Sequence, residues 1–415
     1  MKKLLIIGRV WVEPNSSAAG VRMLSFINLF QQQGWNISFA CAAVLSPHRF
    51  DLQQLDIKET QIELNNASFD DFIIKLNPDM VFFDRFISEE QFGWRVQKHL
   101  PQALRVLDTE DLHSLRHCRE QLIKQEKELT PKLTDPAYLY QLMQQTEITK
   151  REIAALYRSD MSLFISEFEM TLLKTQFNIP ASLLHYCPFL LNAPESKQLE
   201  FEQKNHFIWI GNFRHPPNWD AVLWLKQQIW PLIHQQLPQA ELHIYGAYPP
   251  KKATALHNPK QKFYIKGWIE DADKTMMDAR ICLAPLRFGA GLKGKLTQAM
   301  LNGTPSITTP IGAEGINQQL PWAGEITLNA PQFAHHAVNL YKNKEKWQQA
   351  QQQGFNILKT NFDYQKNADD LIQQLEQKFN NLISERQQNF IGSILHHHQY
   401  NSTKYMALWI EAKNA

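Results

Sequence analysis

The chain has 415 residues, of which 44% are apolar and 20% charged, enough material for two or three packed domains at roughly 150 residues each. Lys and Arg number 43 against 41 Asp and Glu, a net charge of +2, so no general nucleic-acid-binding surface is expected. The 16 Gly and 21 Pro exclude collagen-like or low-complexity architecture, and Cys41, Cys118, Cys187 and Cys282 lie too far apart for a metal knuckle, reading as free thiols in a reducing compartment.

Leu4–Ile7 is a short apolar run closed by Gly8, the pattern of a buried parallel strand, and too short for a signal-peptide core. No stretch of the length and apolarity of a membrane span occurs, so a cytoplasmic protein without a transmembrane segment is expected, with peripheral membrane contact through an amphipathic face left open. Met23, Phe26, Ile27 and Phe30 mark one face of a helix that ends at Gly34. Ile37–Cys41, Met80–Phe83, Arg105–Leu107 and Met161–Ser166 read as strands, with helices over Phe69–Leu76, residues 89–100 and Glu167–Phe177.

Residues 190–205 are polar and unperiodic, a linker, after which the α/β rhythm restarts. Phe207–Ile210, Glu241–Tyr245, Phe263–Lys266, Ile281–Leu286, Ser306–Thr309 and Glu325–Leu328 read as strands, and Pro217–Gln236 as one helix. Strands alternating with helices predict parallel sheets covered on both faces, with ligands beyond the carboxyl ends of the strands. The expected organisation is an N-terminal Rossmann-like domain over 1–190, a linker over 191–205, a second Rossmann-like domain over 206–380 and a helical tail over 381–415. The stretch Met406–Ala412 is apolar enough to dock, and its Met406–Ile410 part is expected to pack back on the first domain. The scattered tryptophans 209, 219, 224 and 230 read as core, and His396-His397-His398 does not read as a metal site, because consecutive helical residues point in different directions.

Several strings resemble the donor-binding domain of family 4 (group 1) glycosyltransferases. They are Gly211-Asn212-Phe213-Arg214-His215-Pro216-Pro217-Asn218, Ala284-Pro285-Leu286-Arg287, Gly289-Ala290-Gly291-Leu292-Lys293-Gly294-Lys295, Gln298-Ala299-Met300, Gly303-Thr304-Pro305 and Gly312-Ala313-Glu314-Gly315. Ser17-Ala18-Ala19-Gly20, Asp108-Thr109-Glu110-Asp111-Leu112-His113 with Arg116, and Ser166-Glu167-Phe168-Glu169 add weaker N-terminal matches in the same order. The resemblance implies the GT-B fold, two Rossmann-like domains whose parallel sheets face each other across a cleft. It implies a retaining hexosyltransferase that uses a nucleotide sugar and a glycan, lipid-linked or protein acceptor. Two departures stand out. Ala290 and Gln298 occupy the places of two glutamates found in many members, and Asn212 and Pro217 lie near the usual Arg and Lys. They motivate the alternative of a catalytically silent nucleotide-sugar binder; a sugar-nucleotide epimerase shares the architecture and is the second alternative.

The loop 289–295 supplies glycines, two lysines and a following helix N-terminus, a set suited to a diphosphate. Donor contacts are therefore expected at Asn212, Arg214, Gly289, Gly291, Leu292, Lys293, Lys295, Gln298 and Glu314. Lys295 is expected to act on the leaving group, and Lys293 to lean toward solvent. These cations are expected to replace a divalent metal, so neither metal nor cofactor is expected. Glu314 reads equally as a hydroxyl acceptor and as a helix N-cap, and Gln298 as a ribose contact or a solvated helix residue. On the N-terminal side His113 and Asp111 are the catalytic candidates, against the plainer readings of a helix-start histidine and an N-cap aspartate. Gly20, Arg22, Arg85 and Asp108 are the acceptor-side candidates, a surface salt bridge being the competing reading of Arg85.

Overall fold

Short runs of consecutive apolar residues build two all-parallel sheets in the computed structural model, which describes residues 1–192, 194, 199–397, 405, 409 and 413. The first sheet holds β1 (Lys3–Gly8), β2 (Asn36–Cys41), β3 (Lys58–Gln61), β4 (Met80–Asp84), β5 (Leu104–Asp108), β6 (Met161–Phe164) and β7 (Leu184–Tyr186) in the order β3-β2-β1-β4-β5-β6-β7. The second holds β8 (Asn205–Ile210), β9 (Leu242–Tyr245), β10 (Phe263–Gly267), β11 (Ala279–Ala284), β12 (Ser306–Thr308) and β13 (Gly324–Ile326) in the order β10-β9-β8-β11-β12-β13. The central strands β1 and β4 carry unbroken apolar runs, Leu4–Ile7 and Met80–Phe83, and β5 is buried along its whole length, because helices cover both faces. Edge strands β3 and β7, Lys-Glu-Thr-Gln and Leu-His-Tyr, escape the sequence pattern because neither is buried on both sides. The two-sheet parallel architecture is that expected of the GT-B fold.

The helix expected over Pro217–Gln236 is instead interrupted by a π-helical turn at Leu225–Ile229. Pro231, just beyond it, has no amide to continue an α-helical ladder. The chain returns to the first domain earlier than 380. Leu191 accepts from the Tyr364 amide and donates to the Phe362 carbonyl, both at 3.0 Å, so outgoing and returning segments cross side by side. Helix Tyr364–Gln388 then buries Leu371 and Leu375 against the β1 side of the first sheet. Arg386 closes on Asp160 at 2.7 Å, and Asn389 donates to the Tyr157 carbonyl at 2.7 Å. The expected docking segment 406–412 lies outside the described residues except for Trp409, whose side chain is exposed.

The domains are in close contact. Phe288 and Ala290 of the Gly-rich loop pack in one apolar cluster with Leu112 and Leu115 of the first domain. Ile165 and Phe189 of the first domain pack with Leu292 and Leu296 of the second. Ala290 is thus buried in an apolar interface, where a glutamate would have to shed its hydration.

Candidate active site

A cleft of about 580 Å³ lies between the carboxyl ends of the two sheets. Residues just past the strand ends line it: Val10 after β1, Arg85 after β4, Glu110 after β5, Gly211 after β8, Gly246 after β9 and Leu286 after β11. On the C-terminal side the loop after β11 feeds helix Gly294–Leu301, whose first residues Gly294 and Lys295 line the cleft at the end where helix amides lack intrahelical partners. Gly291 sits at φ +61°, and a Cβ there would come 2.9 Å from the Asp111 Cβ, so glycine is what lets the loop press against the first domain. Lys295 stands at the start of the helix. Its Nζ donates to Asn218 Oδ1 at 2.7 Å and lies 4.3 Å from the Trp209 ring centroid. Burial pushes this ammonium down to about 7. Asn212 and Arg214 line the same wall. Asn212 Oδ1 accepts the Arg214 amide at 2.9 Å, and the Arg214 guanidinium stacks 3.5 Å from the Tyr248 ring centroid. Tyr248 in turn donates to the Glu13 carboxylate at 3.1 Å, closing the cleft mouth from the opposite domain.

On the N-terminal side the helix after β5 begins at His113, with Leu112 as its N-cap, so Asp111 is not the cap. The Asp111 carboxylate instead pairs with Arg116 and lies 3.4 Å from His113 Nε2. Burial alone would raise Asp111; Arg116, together with His113, His215 and Arg85 around it, outweighs burial and holds the carboxyl well below the usual range. Burial pushes His113 down to about 4, so its imidazole is neutral near pH 7, with its ring edge-on to Phe86 at 5.4 Å. His215 reaches across from the second domain to within 3.4 Å of Arg116 Nη1, and burial pushes it down to about 3. Asp111, His113, Arg116, His215 and Lys295 therefore share one cavity, built from both domains.

Other sequence expectations are corrected. Arg22 and Asp108 are withdrawn from the cleft into a fully buried pair at 2.9 Å, and Arg22 also donates to the Cys187 and Pro188 carbonyls. Neither has a free group for an acceptor; they fasten β5 to the start of the helix that follows β1. Gly20 packs against backbone, where a Cβ would meet the Glu13 carbonyl oxygen at 2.2 Å, and does not face the cleft. Glu314 is neither a helix N-cap nor a free hydroxyl acceptor; it follows the last residue of the short helix Pro310–Ala313. Arg119 grips its two oxygens at 2.8 and 2.7 Å and also donates to the Gly289 carbonyl. Lys293 does not lean toward solvent; it is buried, donates to the Gly291 carbonyl at 2.7 Å and braces the loop from within. Gln298 lines the cleft while donating to Asp273 Oδ1 at 3.1 Å. Arg85 also lines it, with its Nε 3.7 Å from Asp84. The sequence reading overlooked one acidic pair, Asp271-Ala272-Asp273. Asp271 caps the helix that follows, and Asp273 is held by Gln298 and Asn302.

The sequence reading quoted Glu169, Arg116 and His215 only within family-like strings, without a site role, and missed Arg119 altogether. Glu169 accepts the Gly291 and Leu112 amides at 2.6 and 3.2 Å, joining the Gly-rich loop to the first domain. Arg119 and Arg116 follow His113 at intervals of three on one helix face, a spacing visible in the sequence.

Comparison with known proteins bears on the same region. Residues 204–343 match the family "Glycosyl transferases group 1". The match covers the second α/β unit and does not extend into the first. An uncharacterized 44.6 kDa protein in the cps region of Klebsiella pneumoniae is 25% identical over 241 residues, 55% of this chain and 58% of that protein. Sucrose-phosphate synthase from Thermosynechococcus elongatus superposes with a TM-score of 0.63 at 13% identity, covering 91% of this chain and 99% of the other. Anabaena HepE in complex with UDP-glucose gives 0.64 at 11%, covering 91% and 100%. These likenesses show the fold to be GT-B. Lys295, Gln298 and Glu314 fall within the matched stretch, whereas His113, Asp111 and Arg85 come from the domain that faces it.

Proposed function

We propose that the protein transfers a hexose from a nucleotide sugar to a glycan or glycoconjugate acceptor, with retention of configuration and without a metal ion, in the cytoplasm. The observation that carries this reading is Lys295. Its ammonium stands at the N-terminus of helix Gly294–Leu301, on the cleft wall, with only Asn218 as a hydrogen-bond partner among the described residues. A diphosphate placed there meets the helix amides and two further N–H groups of the lysine, and these interactions strengthen as the glycosidic bond stretches and the leaving group gains charge. Lys293 and Glu169 hold the loop in shape for that contact. Neutral His113, hydrogen-bonding without charge, suits a sugar hydroxyl, and Arg116 keeps Asp111 ionised beside it. Gln298 retains an acceptor for a ribose hydroxyl and adds a donor. A nucleotide-sugar donor also agrees with the UDP-glucose bound by HepE.

Incubating the protein with a panel of nucleotide sugars, in water and then with sugar acceptors, tests the reading. Nucleotide release that survives EDTA is expected. A changed sugar without release would mean an epimerase, binding without turnover would mean a silent relative, and loss of activity in EDTA with rescue by manganese would overturn the role given to the loop.

A further inference from the structure

The turn between β5 and the helix at His113 carries a residue that nothing above uses. Before it, Thr109 ties both its amide and its hydroxyl to the Leu163 carbonyl, at 3.2 and 2.8 Å. After it, the Asp111 carboxylate is held by Arg116. Between these anchors Glu110 is left-handed, at φ +60°, a conformation that residues with a Cβ rarely adopt. Its side chain lines the cleft, with Oε1 shielded from solvent and without a hydrogen-bond partner among the described residues. Arg85, past the end of neighbouring β4, is likewise left-handed at φ +67° and likewise lines the cleft. The Glu110 turn also abuts the loop of the second domain: a Cβ at Gly291 would lie 3.0 Å from the Glu110 carbonyl oxygen.

A structural role would show as a cap, an ion pair or apolar packing. Glu110 instead combines a strained backbone with an unsatisfied carboxyl, two destabilising features held in place by their neighbours, which is the usual signature of a functional position. Burial, with the Asp108 charge behind it, raises this carboxyl and favours its neutral form. A neutral carboxyl offers one donor and one acceptor, the complement of a hydroxyl. It stands on the wall of the first domain beside Arg85 and His113, while the proposed diphosphate contacts belong to the second. We propose that Glu110 binds a hydroxyl of the sugar acceptor and holds it against the donor at the Gly-rich loop. This rests on the transferase reading and adds an acceptor contact to it.

The test uses Glu110→Gly and Glu110→Gln in the full chain, with two readouts. The first is thermal unfolding: Glu110→Gly, free of the left-handed strain, is expected to melt at or above wild type, whereas a lower melting point would assign Glu110 a structural role and overturn the proposal. The second is nucleotide release from UDP-, GDP- and ADP-sugars, in water alone and with a panel of alkyl glycosides. The ratio of release with glycoside to release in water is expected to fall at least about ten-fold in Glu110→Gly, the loss of one strong hydrogen bond, and less in Glu110→Gln, which keeps a donor and an acceptor. An unchanged ratio overturns the proposal. So does an equal loss with and without glycoside, which would make Glu110 a contact of the donor sugar. Wild type that releases no nucleotide under any condition overturns the transferase reading, and this proposal with it, while the melting comparison still separates a structural Glu110 from a functional one.

Discussion

Replacing Lys295 with alanine removes the cation at the proposed phosphate end of the cleft and little else. Among the described residues its Nζ has one hydrogen bond, to Asn218 Oδ1 at 2.7 Å, which leaves two N–H groups for a ligand. Charge-assisted hydrogen bonds of this kind are each worth about 1.5–3 kcal/mol. The helix amides remain in the variant, so the loss should resemble that of one preorganised donor, about 3 kcal/mol or roughly 100-fold in turnover. The fold should not suffer. The lysine is desolvated and its folded value, about 7, lies below its value in the unfolded chain. Between that value and the ordinary lysine range the unfolded chain therefore binds a proton that the folded one does not, and stability rises with pH across this window. Below pH 7 the cost of burying the ammonium is fully present, and alanine removes it, so the variant should be at least as stable as wild type there. Ligand binding supplies the missing counter-charge. Calorimetry at pH 8 in two buffers of different ionisation enthalpy should therefore show proton uptake when UDP binds wild type, and less with Lys295→Ala. Turnover and UDP affinity near wild type in a folded Lys295→Ala protein would refute the assignment of the phosphate site.

Three further outcomes are expected. Arg119→Ala leaves the Glu314 carboxylate partly buried without its partner. It should cost about 3–5 kcal/mol in denaturant unfolding, and Arg119→Ala with Glu314→Ala should cost less than the two single changes added. His113 and His215 are pushed down to about 4 and about 3, so between roughly pH 6.5 and 4 the unfolded chain takes up protons that the folded one refuses. Melting temperature should therefore fall as pH falls through that window, and fall less steeply in a His113→Asn, His215→Asn double variant. Gly291→Ala places a Cβ at φ +61° and 2.9 Å from the Asp111 Cβ, so it should push the loop off the first domain and weaken UDP binding in titration calorimetry.

Much of the fold was legible because the signals were local. Leu4–Ile7 and Met80–Phe83 are apolar runs bounded by turn residues, and such runs become central parallel strands wherever they sit. The Gly-rich loop was legible for the same reason. Its glycines, Lys295 and the helix that follows are neighbours in the chain, so their chemistry does not depend on anything distant. The edge strands β3 and β7 were not legible, because a strand half exposed at an edge carries no distinctive pattern.

By itself, then, the sequence determined the two α/β units and the position of the Gly-rich loop between a strand and a helix. Tertiary structure alone decided which charged residues are free. Arg22 meets Asp108 across 86 positions of chain, and Arg119 meets Glu314 across 195. Both pairs were read as acidic or basic site residues or missed altogether, because a carboxylate available to a ligand and one neutralised by a distant arginine look the same in one dimension. Lys293 and Lys295, two residues apart, make the point most sharply. They lie where a loop becomes a helix, so their side chains diverge, one turning inward to the Gly291 carbonyl and the other to the cleft wall beside Asn218. That difference depends on the backbone path of the loop, which is set by its packing against Asp111 and Glu169 of the opposite domain.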